Sequence, residues 1–307
     1  MSNEPRIAVV IPCYNEEAAI FKVVSDFRKA LPRAEIYVFD NNSKDRTAEE
    51  AKRADAKVYT VTQQGKGNVV RRMFADVEAD VYVMVDGDDT YDAFSAPAMI
   101  DLLLSGRYDM VVGVRVTEEQ EAYRPGHRFG NVLLTGCVAY LFGKSFTDML
   151  SGYRVFSRRF VKSFPALSAG FETETELTVH ALQLRMPTAE LKTPYKSRPP
   201  GSQSKLHTYR DGIRILLTII KLLEQERPLF FFSLLGLFLA LTSIGLAIPI
   251  IATYLHTGLV PRFPTAFLSM GLMILAFLSF VCGLVLNTVT RGRQEMKRLF
   301  YLSIPGS

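Results

Sequence analysis

Two stretches without Lys, Arg, Asp or Glu, residues 229–255 and 264–289, lie almost end to end in the final third of this 307-residue chain. Crossing the ~30 Å hydrocarbon core of a bilayer takes about 20 helical residues. Each stretch is long enough, and the core of a soluble protein rarely holds two such runs in succession. The short link 256–263 has only Arg262 among Lys and Arg, whereas Lys221, Arg227, Arg291, Arg293, Lys297 and Arg298 lie on the outer flanks. The positive-inside rule then predicts a transmembrane hairpin over 228–290, with spans at about 229–255 and 264–289. Both termini, including a 291–307 tail, are expected in the cytoplasm, which makes the chain an integral protein of the cytoplasmic (inner) membrane.

Residues 209–227, just before the hairpin, are amphipathic. Ile213, Leu216, Leu217, Ile220 and Leu223 fall on one side, with Arg210, Arg214 and Lys221 elsewhere. Beside a span this pattern predicts an interfacial helix; an ordinary surface helix of the preceding domain is the alternative. The net charge is +5, but the basic residues gather at 192–227 and 291–298. A nucleic-acid binder would show a compact basic patch interleaved with aromatics, so a membrane surface is the expected partner and nucleic acid is not. The three cysteines, Cys13, Cys137 and Cys282, are scattered and lack metal-site spacing, which fits a reducing compartment. The N-terminus lacks the features of a signal peptide, and its apolar run reads as a buried strand.

Residues 1–208 read as one α/β domain. Apolar runs at 6–11, 35–39, 57–62, 81–85 and 109–114 predict strands. Helical periodicity at 16–31, 47–54 and 67–77 alternates with them. That alternation implies an open, mostly parallel sheet with a Rossmann-like beginning. Such sheets bind ligands at the carboxyl ends of their strands, where the polar clusters at 12–16, 40–47 and 86–92 fall.

Asp86-Gly87-Asp88 follows one of these strands directly. Two carboxylates at i and i+2 can leave a strand end together and converge on one hard cation, Mg²⁺ or Mn²⁺, which also bridges diphosphate oxygens. The four histidines, His127, His180, His207 and His256, share no metal spacing. Taken alone, Lys66 and Arg154 read equally well as surface charges. Of Glu172, Glu174 and Glu176, one is expected to pair with a basic residue and the others to be solvated.

Several segments share an order and spacing. Pro12-Cys13-Tyr14-Asn15-Glu16 follows the first strand, and Asp40-Asn41-Asn42-Ser43-Lys44-Asp45-Arg46-Thr47 the second. Gly65-Lys66-Gly67-Asn68 precedes a helix. Asp148-Met149-Leu150-Ser151-Gly152-Tyr153-Arg154 and Gly170-Phe171-Glu172-Thr173-Glu174 come later. Together with Asp86-Gly87-Asp88 these blocks resemble family two glycosyltransferases of GT-A fold, over roughly residues 6–215. Among its members the chain resembles dolichyl-phosphate mannose synthases and bacterial polyprenyl-phosphate glucosyltransferases.

The resemblance implies a fold, an activity and a set of roles. A GT-A (Rossmann-like) domain would be followed by the interfacial helix and the two-helix hairpin. Pro12, Tyr14 and Glu16 would line the nucleotide pocket and Asp40 would meet the base. Gly65 and Lys66 would approach the nucleotide-sugar. Asp86 would lie near ribose and metal, with Asp88 holding Mg²⁺ or Mn²⁺. Arg115 and Arg128 would face the acceptor phosphate, joined by Arg198 and Lys205 from a loop that closes over the site. Asp148, Ser151 and Gly152 would shape the sugar pocket. The implied reaction is inverting, metal-dependent transfer of a hexose from a nucleotide-sugar to a polyprenyl-phosphate lipid, and the bacterial likeness favours a UDP-linked donor.

Two departures from the family pattern stand out. Asn41 replaces a second acid, and Asp88-Asp89-Thr90 lacks a metal-assisting Gln. Asp89 or Asp92 is a candidate substitute, although Asp92 reads better as a helix cap. Two thin spans gain from packing against copies of themselves, so a homo-oligomer is a candidate state. The competing functions are transfer to a saccharide hydroxyl, which needs a carboxylate base, and a non-catalytic membrane scaffold that kept the fold.

Overall fold

A computed structural model describes residues 4–116, 136, 138–140, 146–166, 173–199, 217–218 and 220–305. Arg128, Lys205, Glu172 and residues 209–216 and 219 of the amphipathic 209–227 segment lie outside the described residues.

The chain begins with β1 (Ile7–Cys13), α1 (Ile20–Ala30), β2 (Glu35–Asp40), α2 (Thr47–Arg53), β3 (Lys57–Thr60), α3 (Lys66–Asp76) and β4 (Val81–Met84). Then come α4 (Ala96–Ser105), β5 (Met110–Val116), β6 (Arg154–Ser157), α5 (Arg158–Ser163), α6 (Thr173–Gln183) and β7 (Thr188–Pro194). The seven strands form one sheet in the order β3-β2-β1-β4-β6-β5-β7. β1 pairs in parallel with β2 and β4, and β5 in parallel with β7. β6 runs antiparallel between β4 and β5. The sheet is therefore mostly parallel, with one reversed strand, β6, inserted between β4 and β5.

β1 and β4 are apolar runs because helices cover both faces of the sheet. Val9, Ile11, Val38, Val83 and Val111 pack with Val24 and Phe27 of α1 and with Met99 and Leu103 of α4 in one core. α1 starts four residues later than its periodicity suggests. Asn15 takes a left-handed φ of 52°, and the Glu16 carbonyl accepts the N–H groups of Ala19 and Ile20. A tight turn thus precedes the helix.

The described chain forms two compact units, Met1–Ile215 with Lys297–Ser307, and Leu216–Met296. In the first, the C-terminal segment joins the base of the sheet. The Tyr301 hydroxyl donates to Asp109 Oδ2 at 2.6 Å, and Ser157 Oγ donates to Asp109 Oδ1 at 2.6 Å. Arg298 donates to the Leu184 carbonyl at the end of α6.

The second unit holds most of α7 (Pro228–Thr257) and α8 (Phe263–Ser303). Both are long and apolar enough to cross a membrane, with mean hydropathy 2.4 over 18 residues. Within this unit they run antiparallel. Ser243 and Ser269 exchange hydroxyl-to-carbonyl hydrogen bonds of 2.7 and 2.9 Å near the middle, and Glu226 pairs with Arg293 at 3.2 Å near the open end. α8 continues as helix beyond its apolar stretch to Ser303.

Candidate active site

The site forms where β1, β2 and β4 end. Asp86 and Asp88 leave β4 on a turn that carries two paired carboxylates into one region, and each meets a cation from a different element. Lys66, the first residue of α3, places Nζ 2.6 Å from Asp86 Oδ1 and also contacts Glu174 of α6. Burial alone would lower the Lys66 pKa, but the charges of Asp86 and Glu174 outweigh it and hold the ammonium firmly protonated. Lys66 is thus a half-buried hub rather than a surface charge. Glu174, from the glutamate group, pairs with it.

Asp88 is buried. Its Oδ2 lies 2.7 Å from Arg198 Nη2, and its Oδ1 accepts from the Thr90 hydroxyl at 2.6 Å. Burial and the nearby Asp86 charge push its pKa up, against the pull of Arg198 and Thr90. A carboxylate pair in this state demands positive charge. Arg198 reaches Asp88 because the segment after β7 is fastened down. Tyr195 N–H donates to the Val116 carbonyl at 2.9 Å and Lys196 N–H to the Thr90 carbonyl at 2.8 Å.

Arg115, near the end of β5, forms a two-pronged ion pair with Asp148. Nε and Nη2 lie 2.7 and 2.8 Å from Oδ2 and Oδ1. Burial would raise the Asp148 pKa, but the Arg115 hydrogen bonds and charge hold it below the usual carboxylate range. The same guanidinium lies over the Tyr195 ring, 5.5 Å from its centroid.

Gly152 sits against Asp86. A Cβ at residue 152 would collide with the Asp86 carboxylate, so glycine there is a requirement of close approach. Ser151 turns into the fold instead, donating from Oγ to the Gly113 carbonyl at 2.6 Å. Arg154 is fully buried. It donates to the carbonyls of Ser151 and Met149 and to Thr178 Oγ1, which ties the 149–151 loop to α6.

The other expected positions cluster at the β1 and β2 ends. Pro12 pairs with Phe39 across the strands. Tyr14 is half-buried, and Glu16 N–H is capped by Thr47 Oγ1 at 2.8 Å. Asp40 is buried; its Oδ2 accepts from Ser43 N–H at 3.2 Å, and its Oδ1 has no hydrogen-bond partner among the described residues. Such a buried acceptor is suited to an N–H brought by a ligand. Asp89 pairs with Lys22 at 2.9 Å, and Asp92 accepts from Ser95 Oγ at 2.7 Å. Both candidate substitutes for the missing Gln are therefore engaged elsewhere.

No cluster of three or more His, Cys, Asp or Glu side chains is arranged to hold a metal among the described residues. Asp86 and Asp88 offer hard oxygen donors with a charge deficit, which fits Mg²⁺ or Mn²⁺ bound by one or two carboxylates plus substrate phosphates.

Residues 8–163 match the model of the family described as Glycosyl transferase family 2. The chain belongs to that family. Glycosyltransferase AglJ of Haloferax volcanii is 36% identical over 254 residues, covering 81% of this chain and 82% of that protein. The dolichyl-phosphate hexose transferase of the same organism is 31% identical over 222 residues, covering 72% and 95%. A crystal structure of glucosyl-3-phosphoglycerate synthase from Mycobacterium tuberculosis with Mn²⁺, UDP and glucosyl-3-phosphoglycerate superposes with a TM-score of 0.57 at 24% identity. It covers 70% of this glycosyltransferase and 80% of that chain. The GT-A-like sheet is thus shared with solved glycosyltransferases.

Among residues that the sequence gave no site role, Thr90 and Tyr195 contact the site and Asn41 shapes it. Thr90 lies beside the acidic motif and its proximity was a usable signal. Tyr195 is brought in only by the β5–β7 pairing.

Proposed function

We propose that this glycosyltransferase moves a hexose from a UDP-linked nucleotide-sugar to a polyprenyl phosphate with inversion at the anomeric carbon. One observation carries this reading. Among the described residues, three carboxylates near the Asp86–Asp88 pair are held in ion pairs: Asp148 by Arg115, Glu174 by Lys66 and Asp89 by Lys22. A sugar hydroxyl acceptor needs a carboxylate base. A phosphate acceptor is already anionic and needs cations instead, which Arg115 and Arg198 supply from two neighbouring elements.

In this reading Asp40 accepts a base N–H, while Pro12, Tyr14, Glu16 and Gly65 line the nucleotide. Asp86 and Asp88 hold Mg²⁺ or Mn²⁺, which when bound neutralises charge on the leaving diphosphate. Lys66 adds a second positive charge on the same side. Arg115 and Arg198, with Arg128 and Lys205, guide the acceptor phosphate, and Asp148, Ser151 and Gly152 bound the sugar pocket. A phosphate oxygen of the lipid attacks the anomeric carbon as the bond from that carbon to the diphosphate oxygen breaks. The isoprenoid tail stays in the bilayer beside the α7–α8 hairpin, with residues 1–208 and both termini on the cytoplasmic face, 209–227 interfacial and 291–307 cytoplasmic.

The test is a panel of radiolabelled nucleotide-sugars incubated with membranes, Mn²⁺ and added polyprenyl phosphate, followed by lipid extraction. Label in the lipid fraction that depends on the added polyprenyl phosphate supports the reading. Label only in saccharide sinks it, and absence of any nucleotide release would favour a non-catalytic scaffold.

A further inference from the structure

We propose that Asn41 is a positioning residue of the donor site, acting through Lys66 by holding the 61–65 turn that aims Lys66 at Asp86. The proposal rests on the reading of Lys66 as a donor-site cation. Asn41 is buried just after β2. Its Nδ2 donates to the carbonyls of Val61 and Gln63 at 3.0 and 2.7 Å, and its Oδ1 accepts from Gly65 N–H at 2.8 Å. Its own carbonyl accepts from Gln64 Nε2 at 2.7 Å, and its N–H donates to the Cys13 carbonyl at 2.8 Å. One residue thus ties the end of β1 to four polar groups of the 61–65 turn.

The turn needs such a tie. Gly65 sits at φ 125°, a conformation side-chain-bearing residues rarely adopt, and it immediately precedes Lys66, which opens α3. A rotation at Gly65 would swing the Lys66 side chain away from Asp86 and Glu174. The contacts also explain why an amide occupies position 41. The side chain must donate twice and accept once. A carboxylate has the same shape, yet it would set an anionic oxygen against two carbonyl oxygens and lose both donated bonds. In this chain position 41 is built for loop geometry rather than for contact with a ligand as an acid.

A double-mutant cycle decides the matter, read by calorimetry of UDP or GDP, whichever binds the wild-type protein, in the presence of Mn²⁺. Asn41→Ala and Asn41→Asp should each weaken binding about 10- to 100-fold, the scale at which small misplacements act. In a Lys66→Ala background the same substitutions should weaken it by less than about 3-fold, because coupled residues are non-additive. Equal losses in both backgrounds, or wild-type affinity in Asn41→Asp, would overturn the proposal. If Lys66→Ala alone leaves binding intact, the donor-site reading of Lys66 fails as well. Gln64→Ala, which removes a single bond from an exposed side chain, should give a smaller loss that also vanishes without Lys66. It keeps the test decisive if the Asn41 variants do not fold.

Discussion

Arg115 lays the Nε–Nη2 edge of its guanidinium along both oxygens of Asp148, at 2.7 and 2.8 Å. A cation proposed for the acceptor therefore also neutralises a carboxylate proposed for the sugar pocket. Removing only the cation strands a buried anion, which destabilises by roughly 2–4 kcal/mol once partial exposure is allowed for. Arg115→Ala should lower both the melting temperature and the acceptor kcat/KM. Arg115→Ala with Asp148→Asn should recover much of the stability and none of the acceptor kinetics. Full kinetic recovery would show that Arg115 serves only Asp148.

Asp88 and Asp89 are neighbours with different duties. Asp88→Asn should reduce transfer by more than about 100-fold, beyond the loss typical of residues that merely support a metal ligand. Asp89→Asn breaks a half-exposed pair with Lys22 and should cost little. Near-normal turnover of Asp88→Asn at saturating Mn²⁺ would refute the assignment.

Arg198 neutralises Asp88 through a 2.7 Å ion pair. Arg198→Ala should consequently tighten Mn²⁺ binding measured without nucleotide, while lowering acceptor kcat/KM. A loss on the order of 10- to 150-fold is expected for one charge-assisted phosphate contact. Unchanged values for both would place Arg198 outside the site.

His180 gives a pH signature. Burial, reinforced by the charge of Lys297, lowers its pKa to about 3, and its ring is packed between Phe160 and Phe164. The unfolded chain binds a proton near pH 6.5, whereas the folded chain does not until about pH 3. His180 therefore subtracts nothing above pH 6.5 and destabilises progressively as pH falls below it, by roughly 1.4 kcal/mol per unit. Urea midpoints at pH 7.5, 6 and 5 should show this slope, and His180→Leu should flatten it. Identical slopes would refute the prediction.

Topology can be read with a cysteine at Leu259 after removal of Cys13, Cys137 and Cys282. Leu259 is the better position because Gly258 takes a left-handed φ of 68° that a side chain would strain. Labelling by an impermeant thiol reagent in intact cells fits cytoplasmic termini; labelling only after lysis reverses the orientation.

β1, β2 and β4 are legible because each is an apolar run ended by a polar cluster, and those ends hold the residues proposed for the donor. β6 and β7 are not. β6 begins with Arg154, a charge that reads as solvent-facing until the Met149 and Ser151 carbonyls are seen around it. β7, Thr188–Pro194, mixes Glu190 and Lys192 with apolar residues and is held by pairing with β5. The acidic motif was visible, but its partners were not. Lys66 meets Glu174, and Arg198 meets Asp88, across separations that only the sheet order closes. Asn41 was noticed as a departure from an acid, yet its purpose depends on three backbone groups that no local pattern reveals.

The bond between Tyr301 and Asp109 spans 192 positions of sequence. At typical synthesis rates of 5–20 residues per second, about 10–40 s separate the two residues on the ribosome. Throughout that interval the start of β5 waits for a partner that is translated only after both apolar stretches, near the end of α8. This tie between Asp109 and the C-terminal segment therefore waits for synthesis of the hairpin, so a nascent chain stalled before residue 297 carries the β1–β7 strands with Asp109 still lacking its tyrosine.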